Sequence, residues 1–262
     1  MRYTYDNSAA NDDNPHAPPV RVRLGPSSSD EMAELGLQVL TASLADAATL
    51  VQSFDDRDAQ SNVAFGESRV REHPDSAEDR AFLGKTYVEV GRPADAVPHL
   101  EAAIRLDPKA AGPESDLGSA LLDLDRAGDA LRHLQRAAAL APRDETIAFN
   151  LGNALARVSR AAEAAAAYER ALSLNPDFAD AHVNYGTLLF THGRLADALP
   201  HLQRAVELMP NSAVVHSDYA SVLAASGRYA DALRETRRAL DLNPDYGPAR
   251  ENLVRLQRMG IK

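Results

Sequence analysis

Apolar and polar positions along this chain recur with a period of thirty-four residues, marked most plainly by Pro108, Pro142, Pro176, Pro210 and Pro244. If each of these prolines is position 32 of a unit, five units run from Ala77 to Tyr246 and their apolar positions coincide. Leu83, Leu117, Leu151, Tyr185 and Tyr219 stand at position 7, and Tyr87, Leu121, Leu155, Leu189 and Leu223 at position 11. That i, i+4 spacing is one face of an α-helix. Alanine fills position 20 (Ala96, Ala130, Ala164, Ala198, Ala232) and position 27 (Ala103, Ala137, Ala171, Ala205, Ala239), small enough to let two helices close on one another. Position 30 is always Leu, and position 8 is Gly84, Gly118, Gly152, Gly186 and then Ala220. A mid-helix glycine costs about 1 kcal/mol against alanine, so its return at one site predicts a contact too close for a side chain.

Each unit divides in the middle, where Gly91, Gly193 and Gly227 supply the permissive backbone of a tight turn. The pattern predicts helix A over roughly positions 2 to 14 and helix B over roughly 18 to 30. Asp107, Asn175 and Asn243 precede their prolines, and a residue in that place is pushed out of the α region, which stops helix B. Pro98 and Pro200 fall near the predicted first turn of helix B, where few N–H groups have an intrahelical partner. Units of this size bury their apolar faces only by stacking, which predicts a solenoid.

The string Leu83-Gly84-x-x-Tyr87, followed by Ala96, Ala103 and Pro108, resembles the tetratricopeptide repeat, and the likeness extends over all five units without an insertion. The resemblance implies an all-α fold, a right-handed superhelix of antiparallel helix pairs whose helices A line a concave groove, and a role in holding other proteins. The units expected are 77–110, 111–144, 145–178, 179–212 and 213–246. Residues 247–262 repeat only helix A, from about Pro248 to Met259, and form a capping helix with Arg250, Glu251, Arg255 and Arg258 on its outer face. Residues 1–29, rich in Asn, Asp, Pro and Ser, are expected to be an extended or disordered leader. An apolar helical pattern over 30–76 (Met32, Leu35, Leu40, Leu44, Val51, Phe54, then Val63 and Val70) is expected to be a degenerate pair acting as the N-terminal cap.

Composition narrows the function. A net charge of -10 speaks against nucleic acid, whose phosphates reward basic surfaces. With no cysteine, thiolate chemistry and disulfides are excluded. No apolar run approaches the ~20 residues of a membrane span and no signal-peptide h-region opens the chain, so as written it is expected in the cytoplasm. Nucleophile elbows, phosphate loops and H-E-x-x-H are missing, which predicts no enzyme and no cofactor.

Binding residues are sought on helix A. Position 6 carries Asp116, Asn150, Asn184 and Asp218, and the cap continues the series with Asn252. An amide offers two donors and one acceptor, so such a ladder either pairs with the backbone of a partner peptide or bonds the neighbouring helix or water. It resembles the asparagine ladder of O-linked N-acetylglucosamine transferase, which implies peptide binding. Beside it, Phe149, Asn153, Thr187 and Phe190 complete a candidate peptide-binding groove, with the two aromatics either anchoring a ligand or packing between helices. Chaperone-binding relatives grip a carboxylate with Lys and Arg at positions 2, 5 and 6. Here Glu78, Ala81, Ser115, Thr146, Phe149, Asp180 and Val183 stand there, so no carboxylate-clamp chaperone is expected.

Histidines recur at position 23 (His99, His133, His201) and position 4 (His182, His216), without the carboxylate or thiolate company a metal needs. They are expected to be packing or surface residues. A second resemblance lies in the leader: Tyr5-Asp6-Asn7-Ser8, Val22-Arg23-Leu24-Gly25 and Ser28-Ser29-Asp30-Glu31-Met32 are similar to the end of the copper- and ascorbate-dependent monooxygenase domain. It implies a copper-ligand position at Met32. The His-x-His ligand pairs of that family are absent, and a lone thioether does not hold copper. The chain is thus expected to be a non-enzymatic interaction scaffold that takes a peptide or helix of a partner. The alternative is the C-terminal part of a larger, exported monooxygenase-like protein with the repeats appended.

Overall fold

In the computed structural model the described residues are 20–22, 39–41 and 59–261, and the chain divides into two units, Met1–Ser68 and Arg69–Lys262. The first contains a short antiparallel ladder, β1 (Val20–Val22) against β2 (Val39–Thr41), with Val20 opposite Thr41. This corrects the helical expectation around Leu40. Val39 and Thr41 are β-branched and pair in register with Val22 and Val20, and such residues prefer a strand. The remainder of the predicted leader, and residues 30–38 and 42–58 of the predicted cap, lie outside the described residues. Residues 59–72, spanning the weaker Val63 and Val70 pattern, are helical (α1).

The second unit is a solenoid of helix pairs. Its helices A are α2 (Ala77–Glu89), α4 (Ala111–Asp123), α6 (Glu145–Arg157), α8 (Ala179–Thr191) and α10 (Ala213–Ala225). Its helices B are α3 (Pro93–Leu106), α5 (Ala127–Leu140), α7 (Ala161–Leu174), α9 (Leu195–Leu208) and α11 (Tyr229–Leu242), and α12 (Gly247–Arg258) closes the stack. Each helix A packs on its own helix B and on the helix A of the next unit.

Every helix of this unit starts one residue before its predicted place. Ser76, Asp144 and Ser212 explain three of these starts, each accepting a hydrogen bond from the backbone N–H three residues on, which satisfies a donor the first turn leaves open. The early start moves Pro98 and Pro200 to the sixth residue of α3 and α9. They therefore stand in the second turn, and the bonds they cannot donate are those to the carbonyls of Ala94 and Ala196. Both helices nevertheless run on unbroken.

The turn inside each unit needs one residue in the left-handed region at position 15. Glycine provides it at Gly91, Gly193 and Gly227, but Asp125 (φ 58°) and Ser159 (φ 61°) adopt it without being glycine. The ten alanines at positions 20 and 27 are all fully buried. Between them, position 24 presents Leu100, Leu134, Tyr168 and Leu202 to the position-8 glycines, and in the fifth unit these two positions hold the buried Thr236 and Ala220. A Cβ on Gly84, Gly118, Gly152 or Gly186 would stand 2.5, 2.4, 2.6 or 2.7 Å from Leu100, Leu134, Tyr168 or Leu202. Real Cβ atoms do not approach so closely, so the glycine pattern is a record of helix A lying directly against helix B.

The recurring histidines also have a structural account. The side chain at position 4 donates to the carbonyl of the proline six residues earlier: Arg80 to Pro74 at 2.7 Å, His182 to Pro176 at 2.9 Å, His216 to Pro210 at 3.1 Å and Arg250 to Pro244 at 2.7 Å. Helix B ends in carbonyls with no intrahelical partner, and these donors satisfy the chain just beyond that end. The second nitrogen of each histidine meets a helix-B side chain. His182 Nδ1 lies 3.0 Å from His201 Nδ1, and His216 Nδ1 lies 2.8 Å from the Glu235 carboxylate. In the second unit the partners are exchanged, with His133 at position 23 bonding the buried Glu114 at 2.7 Å. Burial, and next the neighbouring His182, hold His201 below the usual imidazole range. These histidines tie helix to helix.

Candidate functional site: the helix-A face

Successive helices A present the same positions side by side, so position 6 of one unit meets positions 5 and 9 of the unit before. Asn150 Nδ2 donates to Ser119 Oγ at 3.1 Å and lies 3.4 Å from Ser115 Oγ. Asn184 Nδ2 donates to Asn153 Oδ1 at 2.8 Å. Asn252 Nδ2 donates to Ser221 Oγ at 2.9 Å and to the Ser217 carbonyl at 3.2 Å, while its own Oδ1 accepts from Arg255. The asparagine rungs thus spend donors on the preceding unit. Ser115, Ser119, Ser217 and Ser221 are the partners, and the sequence signal for them is their offset of 31 or 35 residues from the asparagine they serve.

The two aspartate rungs differ. Positions 5 and 9 before Asp116 are Ala81 and Lys85, and before Asp218 they are Val183 and Thr187. Among the described residues neither carboxylate accepts a hydrogen bond. Both are half-buried. Burial pushes Asp116 up to about 6 against a weaker opposing pull from Lys85, and burial likewise raises Asp218.

Across α4, α6 and α8 lies a depression of about 520 Å³ lined by Leu122 and Asp123 of α4, Asn153 and Arg157 of α6, and Asn184, Thr187 and Leu188 of α8, with Tyr168 beside them. Tyr168 comes from helix B. At position 24 its ring crosses the face of Gly152, and its hydroxyl donates to Asn153 Oδ1 at 2.8 Å. Burial pushes the phenol up to about 12, so it stays a donor at neutral pH. Asn153 Oδ1 therefore accepts twice, from Tyr168 and from Asn184, which fixes the orientation of both amides. What remains is the Asn153 NH2 group and the Asn184 carbonyl oxygen, a donor and an acceptor next to the same hollow. Tyr168 is the residue of this depression that reading the helix-A face alone misses, because it belongs to helix B.

The aromatics take different places. Phe149 packs between helices, its ring 4.9 Å from Phe178 and 6.1 Å from Tyr168, against Ala148, Ala171 and Ala181. Phe190 is half-buried near the end of α8, and Thr187 lines the depression. Met32 lies outside the described residues. Among the described residues there is no group of three or more His, Asp or Glu side chains placed to hold a metal, and no helix long and apolar enough to cross a membrane.

Models of the tetratricopeptide repeat match residues 80–110, 149–213 and 189–256, and one for the bacterial transcriptional activator domain matches 113–177. No curated protein matches the chain in sequence. Among solved structures, YrrB, described as a TPR protein with an unusual peptide-binding site, is 20% identical with a TM-score of 0.56, over 71% of this chain and 96% of its own. TTC0263 of Thermus thermophilus, a thermophilic TPR protein, is 21% identical with a TM-score of 0.58, over 70% of this chain and all of its own (100%). A MamA protein is 27% identical with a TM-score of 0.51, over 61% of this chain and 87% of its own. With the repeat pattern, the helix pairs and these matches in agreement, the chain belongs to the tetratricopeptide repeat proteins.

Proposed function

We propose that this chain is a non-enzymatic scaffold that binds an extended segment of a partner protein on its helix-A face, with Asn153 and Asn184 pairing to the segment's main chain. The observation that carries the reading is the donor and acceptor left over at the depression. An exposed peptide bond carries one N–H and one C=O, and the Asn184 oxygen and the Asn153 amide offer the complementary pair. The repeat fold supports an interaction role in general, and the peptide-binding site named for YrrB lies in a protein of this same fold. Leu122 and Leu188 add apolar surface on which a side chain of the segment would lose water.

The test is a selection of displayed peptides on the immobilised protein, followed by affinity measurements with Asn153→Asp. That substitution keeps an oxygen for Tyr168 and Asn184 to donate to, and replaces the outward donors with a charged oxygen that accepts but does not donate. Selected peptides should bind the variant about tenfold more weakly, as expected for a lost hydrogen bond of about 1–1.5 kcal/mol, with the melting temperature little changed. Undiminished affinity would refute the assignment.

A further inference from the structure

We infer that Asp116 and Asp218 select the partner by charge, so that the bound segment carries a Lys or Arg side chain at each end of a short main-chain stretch. This rests on the groove reading above and adds to it the kind of segment the groove takes.

The argument begins with the contrast inside the ladder. Where the preceding unit offers oxygen acceptors, position 6 is asparagine and its amide is engaged within the protein. The aspartate rungs stand beside Ala81 and Lys85, or beside Val183 and Thr187, and although Thr187 carries a hydroxyl, no donor reaches either carboxylate among the described residues. Lys85, the cation facing Asp116, is paired with Glu89 at 3.7 Å. Tyr246 is the titratable group facing Asp218. A half-buried acceptor with no donor loses hydration without compensation, which is a net cost to the folded chain. A cationic side chain brought by a ligand would repay that loss through a charge-assisted bond, stronger than a neutral one.

Placement supplies the second step. Asp116 stands on α4, the amide pair on α6 and α8, and Asp218 on α10, so acid, amide pair and acid follow one another along the same face. Arg157 of α6 is turned to Asp125 at 3.5 Å and Arg255 of α12 to Asn252 at 2.6 Å, and neither pairs with Asp116 or Asp218. Asp123 adds further negative charge at the depression. The net charge of -10 steers a basic segment toward the molecule from a distance.

The probes are fluorescein-labelled Gly-Ser peptides of graded length with one Lys near each end, and the same peptides with Glu in place of Lys, read by fluorescence anisotropy at two salt concentrations. One length of the Lys series should bind best, the Glu series should not bind, and D116N/D218N should weaken the Lys peptide by about tenfold for each carboxylate. E101Q, on the exposed side of α3, serves as the control and should bind as the wild type does. The melting temperature of D116N/D218N at neutral pH should rise, because the substitution removes uncompensated charge. A carboxylate with a merely structural role gives a lower melting temperature, and that result overturns the inference. So does binding that D116N/D218N leaves intact, or a Lys series that binds no better than the Glu series. If Asn153→Asp weakens binding of selected peptides while D116N/D218N does not, the groove reading stands and charge selection falls.

Discussion

Gly152 and Tyr168 touch so closely that a Cβ on the glycine would stand 2.6 Å from Cε1 of the ring. The contact places the phenol beneath Asn153, and the same glycine that records close helix packing thereby aims a hydrogen bond into the helix-A face. Gly152→Ala gains helix propensity of about 1 kcal/mol and overpacks the interface by about 1–3 kcal/mol. The expected net loss is about 1 kcal/mol, read by urea denaturation. In the fifth unit the pair is Ala220 with Thr236, a larger residue opposite a smaller one, both buried. Thr236→Leu should therefore destabilise, and Ala220→Gly added to it should recover part of the loss. Strict additivity in that double-mutant cycle would contradict the packing account.

Ser159 holds φ 61° with no glycine to ease it. Ser159→Gly relieves a left-handed strain of about 1–2 kcal/mol and gives back about 0.5–1 kcal/mol through the freer unfolded chain. A small net gain in stability is expected by denaturant titration, and a loss would show that the Ser159 side chain contributes more than the backbone costs.

Asp116 makes stability depend on pH. Its folded-state value, about 6, lies above the ordinary 3.8, so the folded chain holds the proton more tightly than the unfolded one. The contribution is fully present below about pH 4 and is lost as pH rises through about 6. Allowing for solvent screening of a half-buried group, the loss is about 1–2 kcal/mol. D116N should be more stable than the wild type at pH 7, and the difference should shrink toward about pH 4. An unchanged difference across that range would mean that Asp116 is not the group responsible.

His216 bonds two acceptors, the Pro210 carbonyl and the Glu235 carboxylate, inside a largely buried site. Alanine there removes the nearer partner of the Glu235 carboxylate and leaves it only Arg234 at 3.5 Å, a loss of about 2–3 kcal/mol. His182→Ala leaves only a carbonyl and the neutral-leaning His201, a loss of about 1–2 kcal/mol. Thermal melts of the two variants should rank in that order.

Much of the fold is legible in the sequence because the thirty-four-residue period fixes every helix relative to its prolines, and buried alanines recur where helices cross. Three helix starts differ from the pattern by one residue because the caps Ser76, Asp144 and Ser212 lie outside the apolar periodicity; α3 and α9 also start one residue early, without a side-chain cap, and that shift changes the setting of Pro98 and Pro200. At the site, position 6 is legible as a face. Which rungs are spent internally is not, since this depends on residues 31 and 35 positions earlier in another unit, and Tyr168 acts from the opposite helix. The histidines at positions 4 and 23 are visible as a repeat, but the service of His182 and His216 to proline carbonyls, and the pairing of His133 and His201 with position 4, require the packing of helix B against helix A. Val39–Thr41 carries an apolar pattern compatible with either period, and β-branching decides it.

The central claim is that a partner segment lies on the helix-A face across Asn153 and Asn184. The most direct measurement is NMR chemical-shift mapping of a selected peptide on the isotope-labelled protein, following side-chain amides as well as the backbone. The account predicts that the Asn153 and Asn184 side-chain amides shift first, with backbone changes confined to α4, α6, α8 and α10. Perturbations gathered on α5, α7 and α9, with those two side chains unmoved, would contradict it.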